Sequence, residues 1–391
     1  MPRDSPLLLD VSRLIWRAWR QQLPTGIDRA CLAYVRHYRN RARAVVQRGG
    51  FTRVLNERDS QQLFALLLDA PSDFRWRLIG LMIRSLLSRS TPRSTLRGAL
   101  YLNIGHTGLD RPGHGRWVKR CGVRAIYYVH DLIPITHPQF SRTVEPQRHA
   151  ARMAMVLRHA EAVIANSRDS IVSLTAFATE QGLSMRPFLC APLGIEPPLA
   201  VAHSRCPLAA PYFVILGTIE GRKNHRLLLA VWRRLIERCG EHAPKLVIIG
   251  QRGWSAEDVT HLLDSDAVLR PHVDELGRCA DEELHRYLVH ARALLFPSFA
   301  EGQGLPLIEA LALGTPVVAS DLAVFRETAG DIPDYLDPRD EKAWLDAVLD
   351  YGAPDSARRA AQIARMKGFA APTWQDHFEK VENWLDRLSD A

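Results

Sequence analysis

Long apolar runs are scarce in this 391-residue chain. Stretches such as Leu78–Ile83 (LIGLMI) stop far short of the roughly 20 residues a bilayer-spanning helix needs. No secretory leader is expected at MPRDSPLLLDVSRL, where acids flank the brief Leu run and no small-residue cleavage site follows. Cysteine is sparse: Cys31, Cys121, Cys190, Cys206, Cys239 and Cys279 show no CxxC pairing. That leaves free buried thiols in a reducing cytoplasm as the expectation. Acid is lacking in the first half. Residues 1–200 hold 29 Lys/Arg against 14 Asp/Glu (+15), and the remainder 22 against 29 (−7). A basic half points to an anionic partner, either nucleic acid or an anionic membrane surface. Zinc-finger spacing and RNP strings are missing too, which argues against nucleic acid. What remains is globular in composition, with 47% hydrophobic and 24% charged residues, at a length that suggests two domains.

The most informative stretch is Ala293–Ser320, which reads as strand, glycine loop, helix, strand. ALLFPS (Ala293–Ser298) and PVVAS (Pro316–Ser320) are short apolar runs typical of buried parallel strands. Between them, Pro306 lies in the first turn of a helix and Gly314 at its end. Such loops sit at the carboxyl edge of a parallel sheet, where open α/β folds bind ligands. Gly302 and Gly304 permit close backbone approach, and the helix start offers unpaired N–H groups to an anion. Glu301 and Glu309 bring acceptor-only groups to the same place, a combination suited to a nucleotide sugar.

The string EGxGLPxxEA followed by GTPVVAS resembles the donor-site signature of family 4 retaining glycosyltransferases. Gln303 stands where many of those enzymes carry an aromatic residue. YFVILGTIEGRKNH (Tyr212–His225) resembles the family's GTxExRKN, in which an Arg/Lys pair grips the donor pyrophosphate. VDELGRCADEELHRYLVHA (Val273–Ala291) resembles the segment near which the nucleotide base stacks. VRAIYYVHDL ends in His130-Asp131, where the family places a His beside the donor sugar and the acceptor hydroxyl. In that position His130 serves the site or is a core histidine, and Asp131 would fix its tautomer or hold the loop. Thr25-Gly26-Ile27-Asp28-Arg29 resembles the TGIxR string of polysaccharide-building members, or is a plain strand-to-helix connection.

The resemblance implies an α/β fold of GT-B type: two Rossmann-like domains with parallel sheets facing across a cleft. The domains would be residues 1–198 on the acceptor side, a linker at 199–211, a nucleotide-sugar domain at 212–369, and a C-terminal helix at 370–391 packing back on the first. His130, Arg222, Lys223 and Glu301 would be catalytic. Gly26, Asp131, Gly217, Gly302, Gln303, Gly304, Leu305, Glu309, Leu276 and Gly277 would bind the donor. The implied reaction is retaining transfer from a nucleoside diphosphate sugar, mannose-like, to a saccharide or polyprenyl-linked saccharide. No cofactor or metal is expected, because Arg222 and Lys223 would neutralise the pyrophosphate. The DxD triplet Asp264-Ser265-Asp266 ends a helical pattern rather than following a strand, so it is not read as a metal site. Alternatives are a nucleotide-sugar epimerase of the same fold or a non-catalytic assembly partner.

Two further segments bear on location. RLIWRAWR (Arg13–Arg20) interleaves tryptophan with arginine, as a lipid-headgroup segment or a surface loop would. FRWRLIGLMIRSLLSRS (Phe74–Ser90) carries Leu78, Met82 and Leu86 on one stripe and Arg75, Arg77, Arg84 and Arg89 without an acid. That pattern suits a helix lying on anionic lipid, or a core-packed helix with a basic solvent face. A cytoplasmic protein at the inner face of the cytoplasmic membrane is the resulting expectation.

Overall fold

The computed structural model describes residues 7–22, 24–87, 91–197, 205–209, 211–277 and 279–390. The first six residues of the expected leaderless start, Arg89, Pro198 and most of the expected linker lie outside them. The chain divides into two units: Met1–Ile135 with Val144–Leu193 and Trp374–Ala391, and Thr136–Thr143 with Gly194–Thr373. Thr136–Thr143 thus groups with the second unit rather than with the residues that flank it.

Seven strands build the first unit: β1 (Leu7–Asp10), β2 (Ala42–Arg48), β3 (Phe51–Val54), β4 (Leu100–Asn103), β5 (Arg124–Val129), β6 (Ala162–Ala165) and β7 (Phe188–Cys190). Their order is β3-β2-β1-β4-β5-β6-β7. All pair in parallel except β2 with β3, a hairpin whose two-residue turn uses Gly49 and Gly50 at φ 58° and 88°. Every residue of β1, β4 and β6 is buried, as expected of parallel strands covered on both faces. The last helix, Trp374–Asp390, belongs to this unit. Its Phe378 meets Tyr34 edge to face at 5.0 Å. His377 Nδ1–H donates to the Pro192 carbonyl at 2.8 Å, so its Nε2 accepts the Tyr34 hydroxyl at 3.0 Å.

RLIWRAWR is not a loop. Ser12–Trp19 is a helix with Leu14 and Ile15 buried, and its tryptophans lie under arginines of neighbouring elements. Phe74–Leu87 is a helix as expected, but its apolar stripe is another one. Phe74, Leu78, Leu81 and Ser85 face the fold, whereas Leu86 is exposed. Leu78 and Leu86 therefore serve opposite surroundings. Of the cysteines expected to be buried, only Cys31 and Cys121 prove so, and Cys206 is exposed.

The second unit holds β8 (Tyr212–Leu216), β9 (Lys245–Ile249), β10 (Val273–Gly277), β11 (Leu294–Phe296), β12 (Val317–Ser320) and β13 (Asp334–Leu336), in the order β10-β9-β8-β11-β12-β13, all parallel. Alternate strand residues feed two cores. Phe213, Ile215, Leu246 and Ile248 join the cluster around Trp232 and Trp344. Tyr212, Val214, Val247 and Ile249 join the one around Phe296 and Phe325. This alternation follows from the two-residue repeat of a strand and puts helices on both faces. The chain runs β8 to β10 outward on one side, then returns to β11 beside β8. The crevice beyond the carboxyl ends of β8 and β11 is therefore a topological switch point, where doubly wound folds bind ligands.

Candidate active site

Two loops leave the sheet at that switch point. β8 is followed by Gly217 and the single 3-10 turn Gly221–Lys223; β11 is followed by Ser298–Gly304. Between them they assemble a buried ionic cluster. Glu301 Oε1 lies 2.6 Å from Lys223 Nζ, and Glu301 Oε2 lies 2.9 Å from Arg222 Nη1. The Ser298 hydroxyl donates to Glu301 at 2.8 Å. Arg222 Nη1 also donates to the Ala300 carbonyl at 2.9 Å, and its Nε pairs with Glu220 at 2.7 Å. The loops are further joined by the Phe299 amide, which donates to the Arg222 carbonyl at 2.8 Å. Lys223 Nζ sits 4.6 Å over the Phe296 ring.

Electrostatics follow from burial and pairing. Burial opposes ionisation of Glu301, but the Arg222 and Lys223 charges and the bonds from Lys223 and Ser298 outweigh it and hold its carboxyl at about 2. Burial pulls Lys223 below the usual ammonium value, with Glu301 opposing. Burial raises Glu220 against the pull of Arg222 and Lys223. Arg222 and Lys223 are thus fixed partners in a built cluster.

Two glycines are required by shape. Gly217 has φ 137°, and a Cβ there would lie 3.1 Å from Lys223 Cε. Gly304 has φ 84°, and a Cβ would lie 2.7 Å from Phe325 Cε1. Gly304 immediately precedes the helix Leu305–Ala312, which Leu305 opens with Pro306 behind it. Gly302 is half-buried in the loop, and Gln303 is buried, its carbonyl accepting from Thr328 Oγ1 at 3.3 Å. Glu309 lies half-buried just over one turn into that helix. Leu276 and Gly277 end β10, on the same edge of the sheet but two strands from β8. Leu276 packs against the core around Phe296, and Gly277 takes φ 61° at a register shift.

The other candidates belong to the first unit. Gly26 is the first residue of the helix Gly26–Tyr38, with Thr25 before it. Asp28 is buried; its carboxylate accepts from the Thr25 amide at 2.7 Å and pairs with Arg13 at 2.6 Å and Arg17 at 2.9 Å. The TGIDR string is therefore a helix start locked by its own acid. His130 is buried after β5, and its Nε2–H donates to the Ile104 carbonyl at 2.8 Å. That carbonyl, not Asp131, fixes the tautomer. Burial lowers His130 to about 4, the bond to Ile104 notwithstanding. The Asp131 carboxylate accepts from the Ile133 amide at 3.0 Å and holds the loop.

Sequence reasoning passed over several neighbours. His106 lies 5.3 Å from the His130 ring and 5.9 Å from His149, centroid to centroid. A histidine directly after a strand, as in NIGHTG, is the signal that would have found His106. Glu220 and Ser298 stand in the quoted motifs but received no role. Phe140 stacks on Phe299 at 5.3 Å and 9°, which pattern reading could not detect across so long a separation. Asn224 precedes the helix His225–Cys239, yet it does not cap it. It adopts φ 57°, and its side-chain amide donates to the Pro338 carbonyl at 2.8 Å. The DxD aspartates are taken up by arginines: Arg252 Nη2 to Asp264 at 2.7 Å and Arg233 Nη2 to Asp266 at 2.6 Å.

The second unit is doubly wound, with paired cations and an acid at its switch point, and the fold has solved counterparts among GT-B glycosyltransferases. HepE of Anabaena, solved with UDP, superposes over 98% of this chain and 100% of its own with TM-score 0.68 at 15% identity. Sucrose-phosphate synthase of Thermosynechococcus elongatus covers 99% and 100% with TM-score 0.66, also at 15%. These likenesses give the fold. Residues 210–351 match the family model described as Glycosyl transferases group 1. The resemblance read from the motifs is borne out. Sequence relatives include O-antigen chain mannosyltransferase B of Escherichia coli, 36% identical over 159 residues, 41% of this chain and 40% of that protein. Another is the serotype-specific mannosyltransferase WbdA of Escherichia coli, 29% identical over 227 residues, 54% of this chain and 28% of that protein. The chain therefore spans less than half the length of these curated relatives.

Proposed function

We propose that the chain is a retaining glycosyltransferase that moves a sugar from a nucleoside diphosphate sugar to a saccharide or polyprenyl-linked saccharide during bacterial surface-polysaccharide assembly. Mannose is the proposed sugar, because the relatives named above are mannosyltransferases. One observation carries the reading: the Glu301 carboxylate lies within 2.9 Å of both the Arg222 and Lys223 cations at the switch point. Phosphate-binding cations and a hydroxyl-accepting acid thus meet at one spot, as a sugar diphosphate would require.

Arg222 and Lys223 stabilise the charge that grows on the departing diphosphate, in a site too dry for solvent to screen it. The reading needs no metal for that neutralisation. Glu301, held ionised by Arg222 and Lys223, accepts hydroxyls of the donor sugar. Glu309 takes the ribose hydroxyls, and Leu276 and Gly277 border the base. The main-chain N–H groups at Leu305 face the phosphates. His130, neutral near pH 7, contacts the acceptor side, and a phosphate oxygen of the leaving group takes the acceptor proton.

A thermal-shift panel of nucleoside diphosphate sugars tests the donor, since the true one raises the melting temperature by linkage. Product anomers assigned by NMR test retention. Incubating donor without acceptor must leave its sugar unisomerised; an epimerised donor would overturn the transferase reading.

A further inference from the structure

In the first unit, the helix Phe74–Leu87 carries an apolar face that the fold does not use. Trp76 and Leu87 are 77% and 84% exposed, and Ile79, Ile83 and Leu86 stand exposed between them. At 100° per residue these five positions occupy roughly 100° of helix arc, opposite the packed face of Phe74, Leu78, Leu81 and Ser85. The same wheel sets Arg75 along one border of the stripe and Arg77 and Arg84 along the other. With Phe51 at the β2–β3 turn, half of the large apolar side chains exposed among the described residues are gathered here. That hairpin is tied to the helix by Arg53, which donates to the Ser85 carbonyl. So much apolar surface in one place exceeds the scattered exposure normal for a soluble face.

Charge decides what covers it. The helix Ser12–Trp19, the segment 42–54 and the helix Phe74–Leu87 hold two, three and three arginines and no acid. Two of the acids that pair with them lie beneath. Asp28 holds Arg13 and Arg17, and Asp59 holds Arg84 at 2.8 Å; both aspartates are buried, whereas the arginines that cover them remain partly exposed. Asp73 pairs with Arg77 at the helix start. A second copy of the same face would bring arginine against arginine. An anionic phosphate layer over an apolar interior matches both features, with guanidiniums at headgroup level and Trp76 at the boundary.

We infer that the Phe74–Leu87 helix docks flat on an anionic phospholipid bilayer, inserting Trp76, Ile79, Ile83, Leu86 and Leu87. It does so with Arg75, Arg77 and Arg84 on headgroup phosphates. No described helix is long and apolar enough to cross a membrane, so docking here is in the plane of the surface.

Flotation of the full chain with phosphatidylcholine vesicles, with and without phosphatidylglycerol, tests this. The readout is lipid binding rather than sugar transfer, so it stands or falls apart from the donor reading. Binding should require phosphatidylglycerol and weaken as salt is raised. The triple variant Trp76→Ser, Ile83→Ser, Leu87→Ser should bind at least tenfold more weakly with an unchanged melting temperature, since those side chains already face water. Arg75→Gln alone should cost about fivefold on anionic vesicles. The inference is overturned by absent binding, by equal binding to neutral vesicles, or by a triple variant that binds like the parent. A parent dimer that the triple variant turns into a monomer by light scattering would overturn it too, by making the face a contact between copies.

Discussion

Lys223 is held by what surrounds it. Gly217 leaves room for its stem, Phe296 lies under its ammonium, and Glu301 answers its charge. Replacing Gly217 with alanine places a Cβ at a strained φ against that stem. We expect a loss of about 1–2 kcal/mol in urea unfolding and a fall in kcat larger than the rise in KM. Arg222→Ala or Lys223→Ala should lower turnover by one to three decades, the scale for one preorganised electrostatic contact. Glu301→Gln is distinctive because it leaves a buried ammonium without its anion. Its stability loss should reach about 3–5 kcal/mol near neutrality. Lys223 then has a folded pKa further below its unfolded one, so the variant should regain stability as pH rises towards 10. Melting curves at rising pH check this, and a pH-independent deficit would rule it out. At this scale the sequence was legible where chemistry sits in a contiguous string. Arg222, Lys223 and Glu301 were all named from GRKN and AEGQG. Their mutual contact was not, because 78 residues separate Arg222 from the Ala300 carbonyl it bonds.

Elements were read well wherever an apolar run ended in a glycine, proline or capping residue. β8, β11 and β12 and the helix Leu305–Ala312 fell where the runs placed them, since buried parallel strands must be apolar on both faces. The Phe74–Leu87 helix was found by its period, but the side it packs was not, because both of its faces carry large apolar residues. Neither the Thr136–Thr143 segment nor its Phe140 could be placed from pattern, since stacking on Phe299 depends on contacts remote in sequence. Phe140→Ala should loosen the loop that carries Glu301. An aromatic pair is worth about 0.5–1.5 kcal/mol, so a modest melting shift with a clearer rise in KM is expected. Donor titrations would show it.

Across the whole molecule, buried neutral histidines set the acid limit. His114, His130 and His377 are each lowered to about 4 and His225 to about 3, burial being the leading cause in every case. An unfolded chain takes up these protons near 6.5, so below that pH the unfolded state binds more protons than the folded one. Stability should therefore fall as pH drops from 6.5 towards 4. The limiting slope is about 1.4 kcal/mol per pH unit for each such histidine. Urea midpoints at pH 7, 6 and 5 measure it. Activity that depends on neutral His130 should keep its acid limb near 4 rather than 6.5.

Sequence alone determined the class of the elements whose apolar runs end in glycine, proline or a capping residue, the glycine loops, the identity of the charged groups and the family resemblance, because these depend on local period, turn chemistry and contiguous motifs. Tertiary structure alone decided that Glu301 meets Arg222 and Lys223, that Ile104 fixes His130, and which flank of the basic helix is left bare. Those outcomes rest on strand order and on packing between distant segments, which no window of sequence contains.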